Sequence, residues 1–181
     1  MLTVPWKWFG SGTAGRKRRN KMKVKDVMVR TPVSCNCETN LAAAVELLWN
    51  RNCGFLPVVE SDGKVKGVVT DRDLCIALGT RNRLASEIVV GEVMTDKLFS
   101  CSPDEDIHSA LQTMRTQRVR RLPIIARDGT LQGILSMDDV VYHVGDGRKS
   151  SELSYEDIVS TFKGIYAGPL PEPVQAKSVA A

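Results

Sequence analysis

Two short patterns in this chain place a hydroxyl and a carboxylate three residues apart: Thr70-Asp71-Arg72-Asp73 and Ser136-Met137-Asp138-Asp139. Each follows an apolar run and opens a helical pattern, so each reads first as a capping box. In that reading the hydroxyl meets a helix amide and the acid returns to the N–H of the capping residue. Ser102-x-x-Glu105 and Ser154-x-x-Asp157 have the same spacing and need no ligand to explain it. Thr70 with Asp73 and Ser136 with Asp139 differ in standing 66 residues apart, each at the C-terminal edge of a predicted strand. There a hydroxyl and a carboxylate can exchange hydrogen bonds with a ribose diol, as acidic residues do at other nucleotide sites. Cap and ribose contact both stay open.

A carboxylate repels phosphate, so a nucleotide placed there also needs cations. Arg120-Arg121 come directly before an apolar run, Arg115 and Arg118 lie just upstream, and Arg72 sits inside the first pattern. Guanidinium forks suit phosphate oxygens bidentately, whereas the plainer reading of Arg115 and Arg118 is a solvated helix end. The positions 66 residues earlier hold Trp49, Asn52, Gly54 and Phe55, which predicts two unequal sites. Catalysis lacks comparable support. There is no Walker loop and no Gly-x-Gly-x-x-Gly, and His108 and His143 have no nucleophile constellation around them. Cys35-Asn36-Cys37 lacks the four closely spaced Cys/His ligands of a structural zinc site, and Cys35 matches Cys101 in the repeat, as small buried thiols would. The expectation is no catalyst, no catalytic cofactor and no metal.

An internal repeat positions these residues. Shifted by 66, Val24-Lys25-Asp26-Val27-Met28 lies over Val90-Gly91-Glu92-Val93-Met94, and Ser34-Cys35 over Ser100-Cys101. Leu56-Pro57-Val58-Val59 lies over Leu122-Pro123-Ile124-Ile125, Asp62-Gly63 over Asp128-Gly129, and Gly67, Thr70 and Asp73 over Gly133, Ser136 and Asp139. A gap-free match of this length means two copies of one unit. Each copy predicts a Val-Met opening, a polar turn, an amphipathic helix, two strands around an Asp-Gly hairpin, and a second helix. In copy one these fall near 41–50, 55–59, 65–69 and 71–78, with Gly79 as the stop. In copy two the first helix starts at Ser102-Pro103-Asp104-Glu105, the strands fall near 122–125 and 131–135, and a helix over 137–144 stops at Gly145. A last helix begins at Ser154, presents Ile158, Val159, Phe162 and Ile165 on one face, and ends at Gly164 and Gly168-Pro169. One unit alone buries too little surface, so the two should cover each other's sheets as a pseudo-two-fold pair.

These marks, recurring in order in both copies, resemble the tandem CBS-domain pair, or Bateman module. The resemblance implies an α+β fold of two β-α-β-β-α CBS units, with residues 23–79 as the first repeat, 80–89 as linker and 90–145 as the second. Residues 1–22 are then a basic tail, and 146–181 hold the C-terminal helix and a Pro-rich, disordered remainder. It further implies homodimerisation, and clefts between the repeats for an adenosine ligand such as AMP, ADP, ATP or S-adenosylmethionine. In that family Thr70, Asp73, Ser136 and Asp139 would contact ribose, and Arg120, Arg121 and Arg72 phosphate. Val33, Pro57, Phe99 and Pro123 would flank the adenine, with plain core packing an equal alternative for Val33 and Phe99. Such modules regulate a partner enzyme, channel or transporter and do not catalyse.

The charge balance adds a second feature. The 181 residues carry 25 Lys+Arg and 21 Asp+Glu, net +4. Eight of the basic residues stand within residues 1–25, with no acid among them, so the body that follows is acidic. That basic arm, behind Trp6-Lys7-Trp8-Phe9, reads as a solubilising tail, a contact for nucleic acid, or a grip on an anionic membrane surface. No apolar run approaches the roughly 20 residues of a membrane helix. The aromatic stretch precedes the basic cluster, opposite to a signal peptide. Five cysteines without a framework spacing point to reduced thiols in the cytoplasm.

Overall fold

A computed structural model describes residues 21–144 and 153–167. Copy one contains α1 (Leu41–Asn50), β1 (Phe55–Val59), β2 (Val65–Thr70) and α2 (Asp71–Thr80). Copy two contains α3 (Ile107–Gln117), β3 (Arg121–Ile125), β4 (Leu131–Ser136) and α4 (Met137–His143), and α5 (Tyr155–Tyr166) follows. The fold is α+β, one small antiparallel sheet per copy. Phe55 pairs with Thr70 in the first hairpin and Arg121 with Ser136 in the second, and both registers shift at the same repeat position. The opening strand of each unit is a single parallel bridge, Cys35 to Val58 and Cys101 to Ile124. In copy one it goes no further because Asn36 Oδ1 accepts the Glu38 and Thr39 amides and turns the chain.

The opening segments are exchanged between copies. Val24 and Val27 are buried with Ile107, Met114 and Leu135 of copy two, whereas Val90 is buried with Leu41, Leu56 and Val69 of copy one. Backbone bonds hold the exchange. Val24 N donates to Glu105 O at 3.0 Å and Lys25 N to Pro103 O at 2.9 Å, and on the other side Leu41 N donates to Ile88 O and Val90 N to Thr39 O. Val29 then bridges to Ile134, and Thr95 to Val68. These crossings need glycine: a Cβ on Gly67 or Gly133 would sit 2.5 Å from the carbonyl oxygen of Thr95 or Val29 respectively. At the hairpin tips Val65 N donates to Gly129 O and Leu131 N to Gly63 O. Every one of these pairs recurs at an offset of 66, which is the pseudo-two-fold.

Four sequence expectations need correction. Ser102–Glu105 forms a turn, and α3 starts later, capped by Asp106, whose side chain accepts the His108 amide. The reason is non-local: the Pro103 and Glu105 carbonyls are taken by the opening segment of copy one. Gly79 lies inside α2, which runs on to Thr80 with Arg81 as its C-cap. Gly164 lies inside α5, where its missing side chain makes room for the stem of Arg115 on α3. On α5 the buried residues are Ile158, Thr161 and Ile165, and Val159 faces outward. The basic arm over residues 1–20, Gly145, residues 148–151 and the Pro-rich stretch 168–181 lie outside the described residues.

The two copies differ in what covers their helices. α5, capped by Ser154 and Asp157, packs across α3 and reaches α4. The corresponding face of copy one carries exposed Val45, Trp49, Ile76 and Leu78. Among the described residues no helix is long and apolar enough to cross a membrane.

Candidate functional site

The strand-to-helix junctions hold the hydroxyl–carboxylate pairs. At β2–α2 the Thr70 hydroxyl accepts the Asp73 amide at 3.3 Å and donates to Asp73 Oδ2 at 2.7 Å, which also accepts the Thr70 amide at 2.9 Å. At β4–α4 the Ser136 hydroxyl donates to Asp139 Oδ2 at 2.5 Å, with the amide bonds at 2.8 and 3.2 Å. The capping boxes are therefore present. In both, the cap occupies Oδ2 and leaves Oδ1 outside it, so capping does not consume the carboxylate.

Each junction opens onto a cleft between the copies. Cleft A, about 460 Å³, is lined by Thr70 and Asp73 from copy one and by Phe99, Arg120, Arg121 and Pro123 from copy two. Cleft B, about 340 Å³, brings Ser136 and Asp139 together with Val33, Pro32, Phe55 and Arg51 of copy one. The structure thus combines the copy-one hydroxyl–carboxylate pair with the copy-two arginines, a pairing invisible to linear order. Phe99 and Val33 each rest one side on a core cluster while lining a cleft. Arg72 lines cleft A. Pro57 is buried in β1, gives its carbonyl to the Cys35 amide, and is not part of the wall of cleft B.

Three further residues belong to the walls. Arg118, open from the sequence between a site cation and a solvated helix end, reaches cleft A from a left-handed backbone conformation at the end of α3, φ 55°. Asn52, its repeat equivalent, has φ 47° at the end of α1. Lys97 lines cleft A with its ammonium 5.5 Å above the Phe99 ring. Arg51, which the sequence reading passed over, lines cleft B from the copy-one helix-to-strand loop equivalent to the one that carries the copy-two arginines, and that equivalence was the available signal.

The charges of the two clefts differ. Arg72, Lys97, Arg118, Arg120 and Arg121 face Asp71 and Asp73 in cleft A. Arg51 and Arg121 face Asp138 and Asp139 in cleft B. One wall is net cationic by three, the other balanced. Elsewhere, burial pushes the Cys35 thiol up to about 11 and the Cys101 thiol to about 12, so both stay protonated and unreactive at neutral pH. Among the described residues no group of three His, Cys, Asp or Glu could hold a metal ion.

Comparison with known proteins agrees with this architecture. The CBS domain family matches residues 24–80 and again 90–146. A CBS domain-containing protein of Bacillus subtilis, YhcV, is 33% identical over 117 residues, covering 65% of this chain and 81% of that protein. An inosine-5'-monophosphate dehydrogenase of Nitrosopumilus maritimus is 25% identical over 147 residues, 80% of this chain but only 29% of the enzyme. Among solved structures, CBSX2 in complex with AMP superposes with a TM-score of 0.59 at 29% identity, covering 66% of this chain and 93% of that one.

Proposed function

Because the chain belongs to the CBS domain family and carries two of its units, we propose that it is a non-catalytic sensor of adenosine-containing ligands that modulates a partner protein. Residues 23–79 and 90–145 act as the repeats, and 80–89 as the linker. The observation that carries the reading is cleft A, where a ribose-competent pair faces an apolar slot and five cations. In the proposed pose Asp73 Oδ1 and the Thr70 hydroxyl meet the ribose, and Phe99 and Pro123 flank the adenine. Arg72, Arg118, Arg120 and Arg121 meet phosphate. The complex of CBSX2 with AMP supports AMP as the first ligand to test. ADP, ATP and S-adenosylmethionine complete the panel.

The regulatory step follows from where the ligand sits. Its sugar contacts copy one and its phosphate bridges Arg72 of copy one to the arginines of copy two, so it favours the arrangement in which all are satisfied and shifts the population toward it. A partner that reads the packing of the copies then responds to nucleotide. The match to one segment of a dehydrogenase supports such a regulatory role. Five free cysteines support a reducing cytoplasm.

The exposed face of α1 and α2 supports homodimerisation. It is a groove of about 900 Å³ with Val45, Trp49 and Leu78 on its walls, and its counterpart on copy two is already filled by α5. Calorimetric titration of AMP into wild type and an Asp73→Ala, Arg120→Ala double variant tests the sensor. Sub-millimolar binding lost in the variant supports it, and binding unchanged in the variant overturns the site. Sedimentation of wild type and Trp49→Glu tests the dimer, which should dissociate in the variant.

A further inference from the structure

Arg121 occupies a position that the pseudo-two-fold makes unusual. Its repeat equivalent is Phe55, and both residues line cleft A and cleft B alike. Arg121 opens β3 opposite Ser136, and Phe55 opens β1 opposite Thr70. Phe55 is buried and carries no charge. Arg121 is the one guanidinium, among the described residues, on the walls of both clefts.

Its present bond is weak. Arg121 Nη2 stands 4.0 Å from Asp138 Oδ2, and the Asp138 side chain is 85% exposed against 27% for Arg121. An exposed pair at that distance holds little free energy against a phosphate. Cleft A offers an anion Arg72, Lys97, Arg118 and Arg120 even without Arg121. Cleft B without Arg121 has Arg51 alone against Asp138 and Asp139. Removing Arg121 therefore leaves cleft A cationic and turns cleft B from balanced to net negative.

Resting on the sensor reading, we infer that the clefts share Arg121 as an anion ligand and so compete for phosphate. With a nucleotide phosphate in cleft A, Arg121 leaves Asp138, and cleft B then accepts an uncharged or cationic adenosine derivative but disfavours a second phosphate. The chain becomes a two-input sensor, one input phosphorylated and one not. Coupling between binding sites is reciprocal, so a phosphate forced into cleft B weakens cleft A by the same factor.

Methyl-labelled NMR resolves the clefts, with Val68 reporting cleft A and Val33 cleft B. AMP affinity at the Val33 site is measured in wild type, where AMP fills cleft A first, and in the Asp73→Ala, Arg120→Ala double variant, where cleft A has lost its binding. The Val33 site should bind AMP about tenfold more weakly in wild type, within the usual range of coupling. Adenosine at the same site should bind equally in both. In an Arg121→Gln background the AMP difference should vanish. In an Arg120→Gln background it should persist while cleft A weakens. Equal AMP affinity at the Val33 site with cleft A filled or empty overturns the inference and leaves the sensor reading standing. No AMP response at Val68 in wild type overturns the sensor reading itself.

Discussion

Copy one and copy two agree down to single backbone bridges, yet they treat their helices oppositely. The α3 and α4 face of copy two is roofed by α5, whose Ile158, Thr161 and Ile165 are buried. The α1 and α2 face of copy one leaves Trp49 83% exposed beside Val45 and Leu78. The clefts show the same division of labour, with five cations on one wall and two on the other. Duplication supplied two equivalent frames, and the residues at equivalent positions (Trp49 and Arg115, Gly54 and Arg120, Phe55 and Arg121) then separated their uses. A fold can keep exact internal symmetry in its backbone while its surfaces diverge completely.

The largest effect should come from unroofing copy two. Ile165→Ala removes a buried contact between α5 and α3, and should cost about 2–4 kcal/mol. At this chain length that corresponds to a Tm loss of roughly 4–16 °C by calorimetry. Trp49→Ala, studied at a dilution where the chain is monomeric, should change stability by about 0.5 kcal/mol or less. Equal losses in the two variants would break the contrast between roofed and open faces.

Next in size are Gly67→Ala and Gly133→Ala. Each new methyl meets a carbonyl oxygen at 2.5 Å, and each variant should lose about 1–3 kcal/mol in urea unfolding. The two losses should match. A disparity above about 1 kcal/mol would show that the crossings, and not only the surfaces, have diverged.

Ligand affinity sharpens the comparison of the clefts. Asp73→Ala and Asp139→Ala each remove the N3 member of a capping box, so their Tm values should fall alike. Their AMP affinities should part, with about a tenfold loss or more for Asp73→Ala, the size of one charge-assisted hydrogen bond, and about twofold or less for Asp139→Ala. Equal affinity losses would mean that both clefts are full nucleotide sites.

The smallest effect concerns the exchange itself. Lys25 and Lys23 bond to Asp104 at 2.7 and 2.9 Å and hold its carboxyl at about 2. A carboxyl pKa depressed on folding adds stability above the unfolded value near 3.8, lost as pH falls toward 2. Asp104→Asn should therefore lower Tm slightly at pH 5–7 and low salt, and make little difference at pH 2 or in molar salt. A loss that persists at pH 2 would assign the effect to something other than this ion cluster.

The paired architecture was legible in the sequence because its marks are local: Asp-Gly turns, Ser/Thr caps and apolar periodicity survive in both copies. What stayed hidden is non-local. The Ser102 box is a sound local helix start, but its carbonyls are taken by amides some eighty residues earlier. Gly164 looks like a stop and serves as a point of close approach to Arg115. Arg51 and Arg118 belong to different clefts only because the copies face each other, and Pro57 misses its cleft although Pro123 reaches its own. Residue types named the chemistry. The packing of one copy on the other decided which residues share it.

The exchanged opening segments also set the order in which the molecule can be made. A chain leaves the ribosome from its N-terminus at about 5–20 residues per second, and contacts form only between segments already outside. Copy one needs Ile88 and Val90 to complete its core, and so waits for the first residues of its neighbour. Val24 and Val27 have no place until α3 and β4, which are synthesised after them, exist. The opening segment of copy one is thus among the last parts to settle, and neither copy finishes without borrowing from the other.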